Sequence, residues 1–275
     1  MKYYLGMDIG GTKCAVVLGE KGSSSVKDKI RFDTRSERGW RTVVGELISS
    51  AYELLGRNGI SCEDVIACGV SCGGPLNSET GVIMCPPNLP DWDNVPLAQM
   101  ITDEFGFPCK VRNDADACAL AEWQFGAGRG CRNMIFLTFG TGMGAGLILD
   151  GRLYSGTLGM AGEVGHTVIQ RNGLPCPCGR HGCWEQYASA SALKRMTAEA
   201  VAAHPDSILS RVVAENDGHV SGQSAFITER PSSPPTMSPP RRSLRRLRAA
   251  TGLLRRYIAA AARSWGWGSR YSLIY

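Results

Sequence analysis

Three cysteines crowd into Cys176-Pro177-Cys178-Gly179-Arg180-His181-Gly182-Cys183, and His166 lies ten positions ahead of the first of them. Three thiolates and one imidazole close a tetrahedral site with no open position, so the chemistry is structural zinc binding and not metal catalysis. His181, inside the knuckle, competes with His166 as fourth ligand; His166 is preferred because Gly182 and Cys183 already crowd that turn. Glu163 and Glu185 flank the cluster, and each carboxylate accepts several hydrogen bonds, as a sugar's hydroxyls require.

Two further segments carry phosphate chemistry. Asp8-Ile9-Gly10-Gly11-Thr12-Lys13 offers side-chain-free amides, a hydroxyl and a cation, which suit a polyphosphate. Asp8 is the candidate holder of the Mg²⁺ that accompanies ATP. The plain alternative is a tight hairpin turn. A second turn of the same kind, Phe139-Gly140-Thr141-Gly142-Met143-Gly144, favours the phosphate reading. Asn113-Asp114 stands where a short strand hands over to a helix. There Asp114 is either a helix cap or a general base taking a proton from a hydroxyl.

The elements that must position these residues read as follows. Tyr3–Met7 and Cys14–Leu18 are apolar strands around the first turn, which makes it a hairpin and not a Walker loop. Val26–Phe32 is a third strand. Helical spacing marks Trp40–Leu55, through Val43, Val44, Leu47, Ile48, Ala51, Leu54 and Leu55. Val65–Val70 is a buried strand that runs into Ser71-Cys72-Gly73-Gly74-Pro75. Val95–Phe105 is a helix and Cys109–Arg112 a strand. Asp114–Phe125 is a helix packing through Ala115, Cys118, Ala119, Ala121 and Trp123. Strands Asn133–Thr138 and Ala145–Leu149 flank the second turn. This order implies an α/β protein with a cleft between two domains, divided near Arg112–Asn113.

Composition fits a soluble globular chain: 275 residues, 43% hydrophobic and 20% charged. No signal-peptide pattern opens it and no apolar run is long enough to span a membrane. The other eight of eleven cysteines are scattered singly, so reduced thiols and a cytoplasmic location are expected. The net charge of +5 hides an asymmetry. Residues 1–225 carry 20 Lys and Arg against 24 Asp and Glu; residues 226–275 carry ten Arg, no Lys and one acid, Glu229.

Taken together, the two glycine turns, Asn113-Asp114 and the cysteine knuckle resemble the ROK family of sugar kinases and sugar-responsive repressors, over residues 3 to about 225. The resemblance implies a two-domain fold similar to actin and hexokinase. It matches Asp8, Gly10, Gly11, Thr12 and Lys13 to the first phosphate segment and Gly140, Thr141, Gly142 and Gly144 to the second. Asp114 matches the catalytic base, which reverses the preference for a cap, and Asn113 lies beside it on the sugar. Gly74, Asn88, Glu163, His166 and Glu185 match sugar contacts. His166, Cys176, Cys178 and Cys183 match the zinc ligands. The implied activity is transfer of phosphate from Mg²⁺-bound ATP to the 6-hydroxyl of a hexose, glucose being the family default, by a cytoplasmic homodimer with no nucleic-acid or membrane partner. Family repressors carry a helix-turn-helix ahead of the first turn. Asp8 stands so near the start that the kinase branch is expected; a non-catalytic sugar-binding regulator is the alternative.

The expected domains are 1–112, with the first hairpin, and 113–226, with Asp114 and the knuckle. Residues 227–275 depart from the family. Where it continues with helices, an apolar strand and a glycine turn near the adenosine, this chain has a proline cluster (Pro231, Pro234, Pro235) and then Arg-rich text. A basic nucleic-acid arm is one reading. A translated frameshift is preferred, because arginine without lysine is what a misread GC-rich frame gives. It implies an aberrant, disordered tail, an incomplete C-terminal part and a chain with little activity as it stands.

Overall fold

The computed structural model describes residues 1–215. The proline cluster and the Arg-rich segment therefore lie outside the described residues. Two compact units emerge: Met1–Thr138 with Met143–Val164, and Phe139–Gly142 with the described residues from Gly165 on.

The first unit is built on a five-stranded sheet. Its first strand, β1 (Tyr3–Ile9), alternates Tyr3, Leu5, Met7 and Ile9 into the core, the period of a half-buried strand. It pairs antiparallel with β2 (Lys13–Glu20), which buries Cys14, Val16 and Leu18. Both strands run further than their apolar residues alone suggest, because the ladder continues to Ile9 opposite Cys14 at the mouth of the turn. At the sheet edge, β3 (Val26–Asp33) exposes Lys27, Lys29 and Arg31, charges that discourage pairing with another chain. Helix α1 (Trp40–Arg57) covers one face with Val43, Val44, Leu47, Ala51, Leu54 and Leu55.

Strand β4 (Val65–Cys72) returns parallel to β1. A small hairpin of β5 (Leu76–Asn77) and β6 (Val82–Ile83) follows. Helix α2 (Leu97–Phe105) begins two residues later than its periodicity predicts. Val95 is held in a bridge to Ile83, and Pro96, whose ring fixes φ, occupies the N-cap. Strand β7 (Cys109–Asn113) then lies parallel to β4 and completes the order β3-β2-β1-β4-β7.

Helix α3 (Asp114–Phe125) follows β7 directly. Strands β8 (Met134–Phe139), β9 (Met143–Leu149) and β10 (Arg152–Leu153) form a second sheet, order β10-β9-β8. The packing face of α3 differs from expectation: Ala115, Asp116 and Ala119 are buried, whereas Cys118 and Ala121 are exposed. The cause is Gly146 on β9. A Cβ there would stand 2.4 Å from the Cβ of Ala119 and 2.7 Å from the carbonyl of Ala115, so the helix is seated on that glycine and its burial is centred there.

The second unit holds the cysteine knuckle, a short helix α4 (Glu185–Ala188), then α5 (Ala190–Ala203), capped by the Ser189 hydroxyl on Ala192 N–H, and α6 (Ile208–Glu215). Among the described residues no helix is long and apolar enough to cross a membrane.

Candidate active site and metal centre

In the first unit the candidate residues gather at one end of the sheet. Strands β1, β4 and β7 run parallel, and their registers align Asp8 with Ser71 and Arg112, and Ile9 with Cys72 and Asn113. Their carboxyl ends therefore carry the Gly10-Gly11 turn, the Gly73-Gly74 loop and Asn113-Asp114 side by side. Ligands of α/β sheets bind at carboxyl ends of parallel strands, where loops and helix starts converge.

Gly10 donates its N–H to the Lys13 carbonyl at 3.0 Å, closing the turn. Gly11 lies against Asn88: a Cβ on it would be 2.8 Å from both the Cβ and the carbonyl oxygen of Asn88. The loop that carries Asn88 is anchored by Leu89 and Trp92, both buried, and by the Cys85 N–H to Trp92 carbonyl bond at 2.8 Å. Gly74 lies against Asn113, whose Nδ2 is 3.4 Å from where a Gly74 Cβ would stand.

At the start of α3 the capping residue is Asn113, not Asp114. Asn113 Oδ1 accepts from Ala115 N–H at 2.9 Å. Asp114 Oδ1 accepts from the same N–H at 2.8 Å while its side chain remains exposed. One backbone donor is thus shared by two carbonyl-type oxygens. Since Asn113 already fills the cap, a second oxygen of Asp114 is left for other chemistry. The carboxylates of Asp8 and Asp114 both push up the neighbouring Cys72 thiol, which burial first of all raises to about 12, so it stays protonated.

Two buried residues here carried no sequence signal. Asp116, two residues beyond Asp114, accepts from the Ser155 hydroxyl at 2.8 Å. Burial lifts its carboxyl above the usual range, with Ser155 and Arg112 opposing. Thr34, fully buried after β3, reaches the Gly10 carbonyl across 24 positions of sequence, a contact that only strand register creates. Glu163, exposed, ends the loop after β10; its N–H donates to the Met160 carbonyl at 3.1 Å. Gly144 belongs to β9, where a Cβ would meet Thr138 and Ala115 at 3.3 and 3.4 Å.

The second unit brings the remaining candidates together. The ligand atoms of His166, Cys176, Cys178 and Cys183 all lie within 4.8 Å of one another. Cys178 Sγ is 3.6 Å from Cys183 Sγ, and Cys176 Sγ 3.6 Å from His166 Nδ1. A tetrahedron with Zn–S bonds of ~2.3 Å requires sulfur separations of ~3.8 Å, so the four residues fit the ion. His181 is exposed and outside the group. The knuckle is closed by Cys176 N–H to the Arg180 carbonyl at 2.8 Å and by Gly182, whose φ of 80° and contact with the Gln170 carbonyl exclude any side chain. Backbone donation from Arg180 holds the Cys178 thiol down to about 6, while burial pushes Cys176 up to about 12. A cation that binds here displaces the thiol protons.

Glu185 joins the knuckle to the second glycine turn. Its Oε1 lies 3.3 Å from Cys176 Sγ and 3.6 Å from His166 Nδ1. Its Oε2 lies 3.1 Å from where a Gly142 Cβ would stand. The turn itself is closed by Gly140 N–H to the Gly142 carbonyl at 3.0 Å, and the Gly140 carbonyl accepts from Ala190 N–H at 2.9 Å. Gly140, Thr141 and Gly142 are exposed.

Comparison with known proteins now bears on this geometry. The model of the ROK family matches residues 4–225. The glucokinase of Streptomyces coelicolor is 38% identical over 203 residues, 74% of this chain and 61% of that protein. A xylose repressor of Bacillus subtilis is 30% identical over 192 residues, 70% of this chain and 49% of that protein. Among solved structures, a ROK family glucokinase from Streptomyces griseus in complex with glucose and AMPPNP is 32% identical, with a TM-score of 0.67 over 81% of this chain and 69% of that one. The chain spans about three-fifths of the length of the curated glucokinases it matches. By its match over most of its length and its likeness to these structures, the chain belongs to the ROK family and has the actin- and hexokinase-like α/β fold.

Proposed function

We propose that the protein is an ATP-dependent sugar kinase acting on the 6-hydroxyl of a hexose, glucose foremost. The observation that carries this reading is the convergence of Asp8, Gly10, Gly11, Gly74, Asn88, Asn113 and Asp114 at the carboxyl ends of three parallel strands. Likeness to a glucokinase that binds glucose and AMPPNP supports it.

In this reading Gly74, Asn88, Asn113, Glu163, His166 and Glu185 are the sugar contacts, as the family resemblance implies. The amides of Gly11 and Thr12 and the Lys13 ammonium receive phosphate oxygens, as do the amides of Thr141 and Gly142, while Gly10 and Gly140 close the two turns and Gly144 lies behind the second. Asp8 would hold magnesium, which supplies charge neutralisation on the phosphates when bound. Asp114 takes the proton of the 6-hydroxyl. The freed oxygen bonds to the γ-phosphorus, the bond to the β–γ bridging oxygen breaks, and ADP leaves with that electron pair. Little besides positioning is asked of the protein. Zinc at His166, Cys176, Cys178 and Cys183 is structural and fixes the Glu185 segment.

A second reading, a sugar-binding regulator without turnover, is favoured by the likeness to a xylose repressor. It uses the same sugar contacts and the same knuckle. Hexose-dependent ADP formation separates the two. It should be measured on the 275-residue protein and on a version with the frame restored beyond residue 226. The kinase reading expects turnover in the restored form and little in the present one. Equal turnover would show that the Arg-rich segment is genuine. Sugar binding without ADP in either form would establish the regulator.

A further inference from the structure

The first glycine turn is held from beneath by Thr34. Its side chain is 0% exposed. The hydroxyl lies 2.6 Å from the Gly10 carbonyl oxygen, and a carbonyl only accepts, so the hydroxyl proton points there. The Cys14 thiol, 3.3 Å from Thr34 Oγ1, is left as donor to the hydroxyl's lone pair. Burial raises the Cys14 pKa and keeps that proton in place. The backbone repeats the grip: Thr34 N–H donates to the Thr12 carbonyl at 2.9 Å. Thr34 is itself fixed, since its carbonyl accepts from Arg38 Nη2 at 2.9 Å and Arg38 is paired with Glu46 at 2.7 Å.

These bonds have a directional consequence. In a trans peptide the carbonyl and the following N–H point opposite ways. Drawing the Gly10 carbonyl down onto Thr34 turns the Gly11 N–H outward, away from the core. Drawing the Thr12 carbonyl to the same residue fixes the Thr12–Lys13 peptide, where the turn leads into β2. Preorganised amides of this kind bind an anion without spending energy on their own ordering.

We propose that Thr34 is the positioning residue of the first phosphate turn: its buried hydroxyl sets the Gly10–Gly11 peptide plane, its N–H holds the Thr12–Lys13 plane beyond it, and together they present the Gly11 amide to a polyphosphate. This rests on the phosphate reading of that turn. No contact between Thr34 and the ligand is involved.

The test is calorimetric titration of the 275-residue protein with magnesium tripolyphosphate. Thr34→Val keeps the shape and loses the hydroxyl; it should weaken binding about tenfold, the equivalent of one well-placed hydrogen bond. Thr34→Ser should restore affinity to within about twofold of the parent. Thr34→Ala, with the same expected loss, serves if the valine methyl prevents folding. A merely structural role would lower the melting temperature of Thr34→Val without changing its affinity, and that result overturns the proposal. Gly11→Ala separates the two levels of the argument and subtracts binding elsewhere on the chain. If Gly11→Ala weakens binding and Thr34→Val does not, only the role of Thr34 falls. If the parent binds no tripolyphosphate, or Gly11→Ala binds it equally well, the phosphate reading falls and this proposal with it.

Discussion

Gly11 and Asn88 are in backbone contact, so close that a single added carbon on Gly11 would stand 2.8 Å from both the Asn88 Cβ and its carbonyl oxygen. In the proposed reading, a phosphate-turn residue and a sugar-loop residue therefore share one boundary. Gly11→Ala must push the Asn88 loop outward, although Leu89 and Trp92 anchor it in the core. The expected outcome is a rise in KM for both ATP and hexose and a fall in kcat/KM of about tenfold or more, since misplacing reacting groups by an ångström is costly. A variant with only the ATP constant changed would remove Asn88 from the sugar side.

One zinc per chain is expected on elemental analysis of the purified protein. Replacing Cys176 with serine should lower the metal content and the melting temperature together, because a closed Cys₃His site contributes folding energy directly. Chelation should reproduce the effect in the parent and do nothing further to the variant. A metal-free protein of unchanged stability would contradict the assignment.

Asp116 offers a pH-dependent test. Burial raises its folded-state pKa above the unfolded value. A group raised in this way favours the folded state below the unfolded pKa, near pH 4, and that contribution is lost as pH rises through the folded pKa. Asp116→Asn removes the buried charge and retains an acceptor for the Ser155 hydroxyl. The variant should melt higher than the parent at pH 7, with the difference closing as pH falls towards 4. A lower melting temperature at pH 7 would mean that the attraction of Arg112 outweighs the cost of burial.

Much of the fold is legible in the residues, for identifiable reasons. The apolar run Tyr3–Met7 and the helical spacing in Trp40–Leu55 are local signals, and β1 and α1 form over them, each running two residues further. The knuckle is legible because its ligands are close in sequence and chemically distinctive. What escapes is long-range. The cap on α3 is Asn113 because strand β7 runs one residue further than its apolar part, beside Cys72. Thr34 meets Gly10 only through the β2–β3 register. Asp116 reads as a surface carboxylate until β9 presents Gly146 to that side of the helix.

The central claim is that Asp114 removes a proton from a sugar hydroxyl, and the direct measurement is hexose-dependent ADP release by Asp114→Asn beside its parent, both in the frame-restored protein, with hexose affinity from calorimetry. Asparagine keeps the shape and the Ala115 N–H contact at 2.8 Å but cannot take up a proton. The account predicts hexose affinity within about threefold of the parent and turnover reduced by ~10²-fold or more, the usual worth of a general base. Near-normal turnover in Asp114→Asn would contradict it and leave Asp114 as a second acceptor at the start of α3.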